Sequence, residues 1–196
     1  KYSEARYARQ IADEQLNLLP YTIAAWEAVD WLIPGDTYTV SGQTPIEVIA
    51  DLAKAAGAFV ESHPYEAQLF VRPIWRQPAW AKPAPALTIP ANLILSISGQ
   101  RRISERANAV RITPTAEQVG SAKAKGGLVY REGTDQTPEA STLTHAAYTD
   151  SDVMRAAGTH ALSETGTHKT ETVQLPWAEK YQLPLASLGA VWAFAE

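Results

Sequence analysis

The sequence of 196 residues contains no cysteine. This absence excludes a disulfide framework, a thiolate nucleophile, a cysteine-zinc site and an iron–sulfur cluster. The chain also lacks any run of ~18 to 20 apolar residues, the length that a membrane-spanning helix needs, so we expect no membrane partner. The remaining composition, 45% hydrophobic and 19% charged with a formal charge of −4, is typical of a globular protein that can fill one core or two small ones.

The motifs of common nucleotide and hydrolase sites are missing as well. Neither GxGxxG nor the P-loop pattern occurs, and the Gly- and Lys-containing stretch Gly120–Gly127 is predicted to be a flexible loop. No GxSxG is present. The carboxylate pairs Glu61 with Glu66 and Asp150 with Asp152 have simpler structural explanations, the second pair because negative charge is favoured in a first helical turn.

Metal-binding patterns are also absent. The histidines are His63, His145, His160 and His168. No two of them have the i, i+4 spacing that places two imidazoles on one face of a helix. We interpret His160 as a partly buried side chain and His63 as an exposed turn residue. The sequence therefore predicts no catalytic residue, no metal and no cofactor.

A helix followed by a β-hairpin is the clearest local pattern. Thr44 and Glu47 form a capping box, Pro45 occupies the first helical position, and Gly57 ends the helix after about Ala56. Two short apolar runs across a turn then predict a hairpin, with strands at Ala58–Glu61 and Gln68–Arg72. The hairpin needs to pack on the helix because an isolated hairpin is marginal.

Two further helices and several short strands complete the prediction. A helix capped by Ser3 is expected to reach Leu19 before Pro20, and another, capped by Thr149, ends at Gly166. Alternating or β-branched patterns predict short strands between Tyr21 and Val40, and at Leu93–Ile97, Ala107–Ile112, Leu128–Arg131 and Lys169–Leu175.

The segment Pro73–Pro90 holds five of the 13 prolines together with Trp75 and Trp80. Proline at this density is incompatible with a central strand, so we expect a stiff, extended crossing on the surface. We favour the two tryptophans as packing or interface anchors. A platform for a sugar or a peptide is the alternative.

Basic residues are concentrated between Ile97 and Lys125, a segment with six Lys or Arg residues and only two Glu residues. Arg101, Arg102 and Arg106 form the densest part. A positive patch can attract phosphate, but the aromatic side chains that would stack on bases lie elsewhere in the sequence. We therefore favour a solvated or interface patch over nucleic-acid binding.

The order of these features resembles a family of phage and prophage tail proteins, those of the baseplate hub or tail-tip hub. The match extends over most of the chain through helix caps, turns and core residues. It is carried by Trp26–Pro34, Gly42–Gly57, Leu69–Pro73, Trp80, Asn108–Val110, Tyr148–Asp150, Leu162–Gly166 and Val173–Pro176. The stretch Arg111–Pro114 departs from the Gly-rich strand that the family often has at this place.

This resemblance implies an α+β fold with β-barrel-like tube modules and an inserted helix-plus-β-hairpin module. It further implies a non-enzymatic adaptor in the virion, between the tail tube and the tip or spike, assembled in the host cytoplasm. The implied partners are sister subunits, as a homotrimer, and other tail proteins. Nucleic acid would be met only as it passes through the channel.

The predicted division of the chain follows from these arguments. Residues 44–98 form the helix-hairpin module with its Pro/Trp-rich crossing, and residues 1–43 and 99–196 form the tube-type module. Because residue 1 is Lys rather than Met, we expect a piece of a longer polypeptide. Two other classes stay open: a carbohydrate- or nucleic-acid-binding module, and an accessory domain of a cell-wall hydrolase.

Overall fold

The computed structural model describes residues 2–81, 83–115, 118–119, 122–123, 125–176, 183–184 and 190–195. Each described sheet is open and has two or three strands. Helices pack on the two three-stranded sheets, which confirms the predicted α+β class. None of the helices in these ranges is both long and apolar enough to cross a membrane.

The elements follow one another in a mixed order of short strands and three α-helices. They are β1 (Arg6–Tyr7), α1 (Ala8–Gln15), β2 (Thr22–Trp26), β3 (Leu32–Ile33), α2 (Pro45–Ala55), β4 (Ala58–Ser62), β5 (Gln68–Pro73), β6 (Leu87–Ile89), β7 (Ser96–Arg102), β8 (Ala109–Pro114), β9 (Gln118–Val119), β10 (Ala122–Lys123), β11 (Gly127–Tyr130), β12 (Glu139–His145), α3 (Ser151–Ser163), β13 (His168–Gln174) and β14 (Trp192–Phe194). A 3₁₀ turn at Ala91–Leu93 precedes β7.

The first three-stranded sheet has the order β2–β5–β4. β4 and β5 are antiparallel, which confirms the predicted hairpin, and β2 runs parallel to β5. Helices α1 and α2 cover one face and form an apolar cluster with the strands. Its buried members are Ala12, Leu16, Ile23, Ile49, Ala53, Ala58, Leu69 and Val71.

The second three-stranded sheet has β8 in the centre, antiparallel to β11 and parallel to β12. Helix α3 packs on it through Leu162, which lies in a small cluster with Ala107 and Val110. Gly158 of α3 allows the close approach to β11, since a Cβ there would lie 2.5 Å from Cβ of Val129. The four other pairings are two-stranded: β1–β3, β6–β14, β7–β13 and β9–β10.

Helix α2 lies between two core clusters and is buried on both sides. Ile49 and Ala53 face the first sheet, while Val48, Leu52 and Ala55 face a larger cluster. That larger cluster joins both halves of the chain, because it also contains Ala8, Ile11, Trp31, Ile33, Ile112, Val153 and Ala157. The capping box predicted at Thr44 and Glu47 is present.

The predicted start of the first helix at Ser3 is wrong. α1 begins at Ala8 because its first amides are satisfied by the segment before β3 rather than by a local cap. The Ala8 N–H donates to the Trp31 carbonyl at 2.9 Å, and the Arg9 N–H donates to Asp30 Oδ1 at 3.0 Å. A tertiary contact thus sets this boundary, and local capping signals do not contain it.

The predicted cap of the last helix is displaced by one residue. Asp150 is the N-cap of α3 and accepts the Asp152 N–H at 2.7 Å. The Thr149 hydroxyl instead donates to the Leu32 carbonyl at 3.0 Å, which ties the start of α3 to β3. The helix ends at Ser163, three residues before Gly166.

The Pro-rich segment contributes one strand, β6, which pairs only with β14 in the described part of the chain. The strand predicted at Leu93–Ile97 begins later, at Ser96, because the chain after Pro90 first forms the 3₁₀ turn. Of the loop predicted at Gly120–Gly127, residues 120, 121 and 124 lie outside the described residues, whereas Ala122–Lys123 forms β10 and Gly127 begins β11.

The division into residues 44–98 and the two flanking segments remains a prediction. The sheet adds a relation between them, because β2 from residues 1–43 pairs with β5. α1 also packs on α2 in the shared apolar cluster. The helix-hairpin module is therefore completed by a strand and a helix from outside its predicted bounds.

Candidate functional site

A polar cluster lies where α2 meets the end of β12. Asp51 Oδ2 accepts a hydrogen bond from the Tyr38 hydroxyl at 2.6 Å, and Asp51 Oδ1 lies 3.1 Å from His145 Nε2. The ring of Tyr148 lies 5.5 Å from that of His145. These contacts join three segments that are far apart in the sequence, and the Asp51 and His145 side chains are only 32% and 22% exposed.

Both ring nitrogens of His145 are occupied. The Ala147 N–H donates to Nδ1 at 3.0 Å, so the proton of the neutral ring is on Nε2 and points to Asp51. The Ala147 carbonyl in turn accepts the Trp31 Nε1–H at 2.8 Å. A general base needs a free lone pair directed at a substrate, which this ring does not offer. The arrangement is suited to fastening α2 to the turn after β12.

The electrostatics of the cluster follow from these hydrogen bonds and from burial. The His145 hydrogen bond lowers the pKa of Asp51 below its ordinary value, and the Tyr38 hydrogen bond acts in the same direction. Burial raises the pKa of Tyr38, and the Asp51 carboxylate raises it further. Burial and the same carboxylate raise the pKa of Tyr148. Asp51 is thus held ionised and both tyrosines are held neutral.

The sequence pattern alone does not reveal this cluster. His145 has no second histidine at metal-ligand spacing, and no motif marks Asp51 or Tyr38. One signal was available: Asp51 lies three positions after Val48 and four before Ala55, both of which are buried. A carboxylate beside a buried helical stripe needs a polar partner, because burying an unpaired charge is costly. The pattern does not show that this partner is His145, 94 positions away.

The Pro/Trp-rich crossing is attached to the end of α3. The Trp75 Nε1–H donates to Glu164 Oε1 at 2.7 Å, and the Ala79 N–H donates to Ser163 Oγ at 3.1 Å. Trp80 is 38% exposed. Trp75 is therefore bound to the end of α3 within the same chain, whereas part of the Trp80 ring is exposed.

Arg131, directly after β11, is a buried cation beneath Trp80. It is 5% exposed, and its guanidinium carbon lies 4.4 Å from the centre of the Trp80 ring. One Nη donates to the Leu162 carbonyl at 2.6 Å, so the negative end of the α3 dipole compensates part of the charge. Burial and the nearby Arg106 lower the pKa of Arg131.

The basic residues predicted as an interface lie on and after an exposed strand. All seven residues of β7 are exposed. Its register with β13 places Arg101 opposite Lys169 and Arg102 opposite His168. Arg106 follows the ribbon strand and is exposed, and its charge acts on the buried Arg131. The ribbon end therefore carries Arg101 and Arg102, whereas the charge of Lys169 is compensated by Glu171 at 2.5 Å.

The other residues considered from the sequence have structural partners. Glu61 pairs with Arg72 at 2.5 Å, and Asp152 pairs with Arg155 at 3.0 Å. His63 is half-buried rather than exposed, because its Nδ1 accepts two backbone amides of its turn. His160 is half-buried as predicted, and burial lowers its pKa. In the described part of the chain, no group of three acidic or histidine side chains could hold a metal ion.

The molecule is thus an α+β chain with small open sheets, a tightly bonded polar cluster and an exposed basic ribbon. No family model matches the sequence, and no curated protein matches it. The fold is similar to that of two tail proteins of known structure. One, from Neisseria meningitidis MC58, is 12% identical, with a TM-score of 0.44 over 80% of this chain and 45% of that chain.

The other is the 43 kDa tail protein of prophage MuSo2 from Shewanella oneidensis. It is 17% identical, with a TM-score of 0.40 over 80% of this chain and 44% of that chain. The chain spans less than half the length of either protein.

Proposed function

We propose that this chain is a structural part of a phage or prophage tail, of the hub type that joins the tail tube to the tip. In this proposal it acts in the virion after assembly in the host cytoplasm, as a homotrimer in contact with other tail proteins. It performs no catalysis. The resemblance of its caps, turns and core residues to tail hub proteins supports this assignment.

The observation that carries the proposal is the ribbon formed by β7 and β13. Seven residue pairs align along it, and no described residue of either strand is buried. Ile97 and the flanking Leu95 and Ile103 are 51%, 67% and 75% exposed. A two-stranded ribbon with wet faces is marginal on its own and offers free edges to further strands. Such a ribbon suits a part that is completed by sister subunits.

In this proposal the β-barrel-like tube forms only on assembly, when ribbons of neighbouring subunits pair edge to edge. Arg101, Arg102 and Arg106 then lie at or near the contact and meet acidic groups of the next subunit. Trp80 contributes its exposed ring edge, whereas Trp75 acts indirectly by holding the crossing against α3.

Sedimentation velocity of the full-length protein tests the proposal. We expect a ring that Ile97→Lys disrupts and that Leu18→Lys, a matched change at a residue 98% exposed and remote from the ribbon, leaves intact. A full-length protein that stays monomeric, or one that turns over peptidoglycan, would overturn it. If replacing both Trp75 and Trp80 by alanine leaves the ring unchanged, those two residues are not part of the interface, and the rest of the proposal is unaffected.

Binding of nucleic acid is the second candidate, favoured by the positive ribbon end. It requires DNA affinity that falls steeply with salt and that is lost when Arg101, Arg102 and Arg106 are replaced together. If the chain does not bind DNA, or if its DNA affinity does not depend on salt, this second candidate is excluded and the structural role is retained.

A further inference from the structure

An apolar groove of about 890 Å³ runs along α2 on the side where the first sheet ends. Ile46, Ala50 and Lys54, spaced four residues apart, form its helical wall, and β4 forms the opposite wall. Leu19 and Tyr21 close one end and are each 44% exposed. The groove is thus bounded by a helix flank and a strand.

β4 is the edge strand of its sheet in the described part of the chain, since it pairs only with β5. Two bonds define which of its amides face outward. The His63 N–H donates to the Gln68 carbonyl at 2.8 Å, and the Ile74 N–H donates to the Gly57 carbonyl at 3.1 Å. Because hydrogen-bonded pairs alternate along an antiparallel ladder, the odd-numbered residues of β4 bond to β5.

The even-numbered residues Ala58, Val60 and Ser62 therefore direct their N–H and C=O groups away from β5, to the open edge. The same three residues line the groove. An open strand edge beside an apolar groove can bind an added strand. The edge supplies hydrogen bonds to the backbone of that strand, and the groove supplies pockets for its alternate side chains.

The charge of the groove defines which end of the added strand lies where. Lys54, at the Ala58 end, is exposed and makes no ion pair within 4 Å in the described residues. His160 lines the same end of the groove. The rest of the lining is almost wholly apolar. This end suits a carboxylate, so the strand would run antiparallel to β4 with its C-terminal end near Lys54.

We infer that the groove between α2 and β4 is a docking site for an extended peptide segment of another protein, with apolar side chains at alternate positions and a carboxylate at its C-terminal end. The segment adds to the sheet as a fourth strand beside β4, and about five residues match the length of that strand. This inference does not depend on the proposed role in a tail.

The test uses fluorescein-labelled hexapeptides that alternate threonine with valine, leucine or phenylalanine and that end in either a free carboxylate or an amide. Fluorescence polarisation measures their affinity for the chain. We expect saturable binding, about threefold weaker for the amide than for the acid, and a loss of this preference in Lys54→Ala.

A matched pair of variants tests the strand addition itself. Val60→Pro removes an amide that faces the open edge and leaves the ladder to β5 intact, whereas Val60→Thr keeps the amide with a similar shape. We expect binding about tenfold weaker in Val60→Pro than in Val60→Thr. Equal thermal unfolding of the two variants shows that both are folded.

Three results would overturn the inference. They are no saturable binding of any peptide up to about 1 mM, equal affinity of the two Val60 variants, or equal affinity of acid and amide. A dimer of the chain alone that Val60→Pro abolishes would instead identify a second copy as the occupant.

Discussion

Helix α2, of eleven residues, and the β7–β13 ribbon, of two seven-residue strands, differ in burial and in what stabilises them. Five of the eleven residues of α2 are buried, on two sides of the helix. No described residue of the ribbon is buried, and neither strand contributes to a core cluster. The helix is stabilised by packing, whereas the ribbon is stabilised by its hydrogen-bond ladder and by surface contacts such as the Ser96–Gln174 hydrogen bond and the Lys169–Glu171 ion pair.

This difference separates the part of the molecule that is held by packing from the part that we propose takes part in assembly. Burial of apolar side chains supplies most of the free energy of folding, at roughly 25 cal/mol per Å². A ribbon without such burial has little free energy to lose on rearrangement and keeps its edges free for new strands. We therefore expect the same chemical change to have very different effects in the two regions.

Leu52→Ala has the largest expected effect. Leu52 is 0% exposed in α2, and its truncation leaves a cavity in the cluster that joins both halves of the chain. We expect a loss of about 3 kcal/mol in the free energy of unfolding, measured by urea denaturation. A loss below about 1 kcal/mol would mean that α2 does not hold the two halves together.

Gly57→Ala is expected to be the next largest. Gly57 ends α2 with φ +66°, and an added Cβ would lie 2.6 Å from Cβ of His160. We expect about 2 kcal/mol of destabilisation from backbone strain and this contact together. Gly42→Ala is the matched control, because Gly42 has φ +81° with nothing within 4 Å of the added Cβ. Equal losses at both positions would exclude the His160 contact as a cause.

Asp51→Asn tests the polar cluster through its pH dependence. Because the folded-state pKa of Asp51 is lowered, its ionised form adds stability above the unfolded-state pKa of about 3.9, and this stability is lost as the pH falls through the folded-state value. We expect the variant to be less stable at neutral pH and to lose less on acidification. Urea midpoints at pH 7 and at the acid limb measure this. Asp152→Asn, at an exposed carboxylate, is the matched control.

Leu95→Ala has the smallest expected effect and repeats the Leu52 change next to the ribbon. Leu95 is 67% exposed, so its truncation should change the free energy of unfolding by less than about 0.5 kcal/mol. Hydrogen exchange sharpens the contrast, since the ribbon amides should exchange through local opening well before those of α2. A large loss at Leu95 in the isolated chain would contradict the view of the ribbon as unpacked.

Local signals predicted the parts of the fold that local interactions determine. The capping box at Thr44 and Glu47 and the glycine at position 57 gave α2 to within one residue, and the turn at His63 gave the β4–β5 hairpin. At these places the helix or strand is stabilised by residues a few positions away in the sequence, so the local pattern is enough to predict the element.

Local sequence patterns do not predict which distant segments pair with one another. The β2–β5 pairing, the β7–β13 ribbon and the bond from His145 to Asp51 all join distant segments. The start of α1 depends on Trp31 and Asp30 in the same way. For the groove, the sequence contains the apolar residues Ile46 and Ala50 of α2 but does not show that the outward amides of β4 lie beside them.

The burial of α2 on two sides limits how the chain can be cut. A fragment of residues 44–98 would keep this helix and the hairpin but would lose β2, α1 and the second cluster, and so would expose apolar surface on both flanks. We expect it to collapse without a unique structure. The smallest piece that folds independently should extend from α1 to α3, and the two core clusters should melt in one cooperative transition.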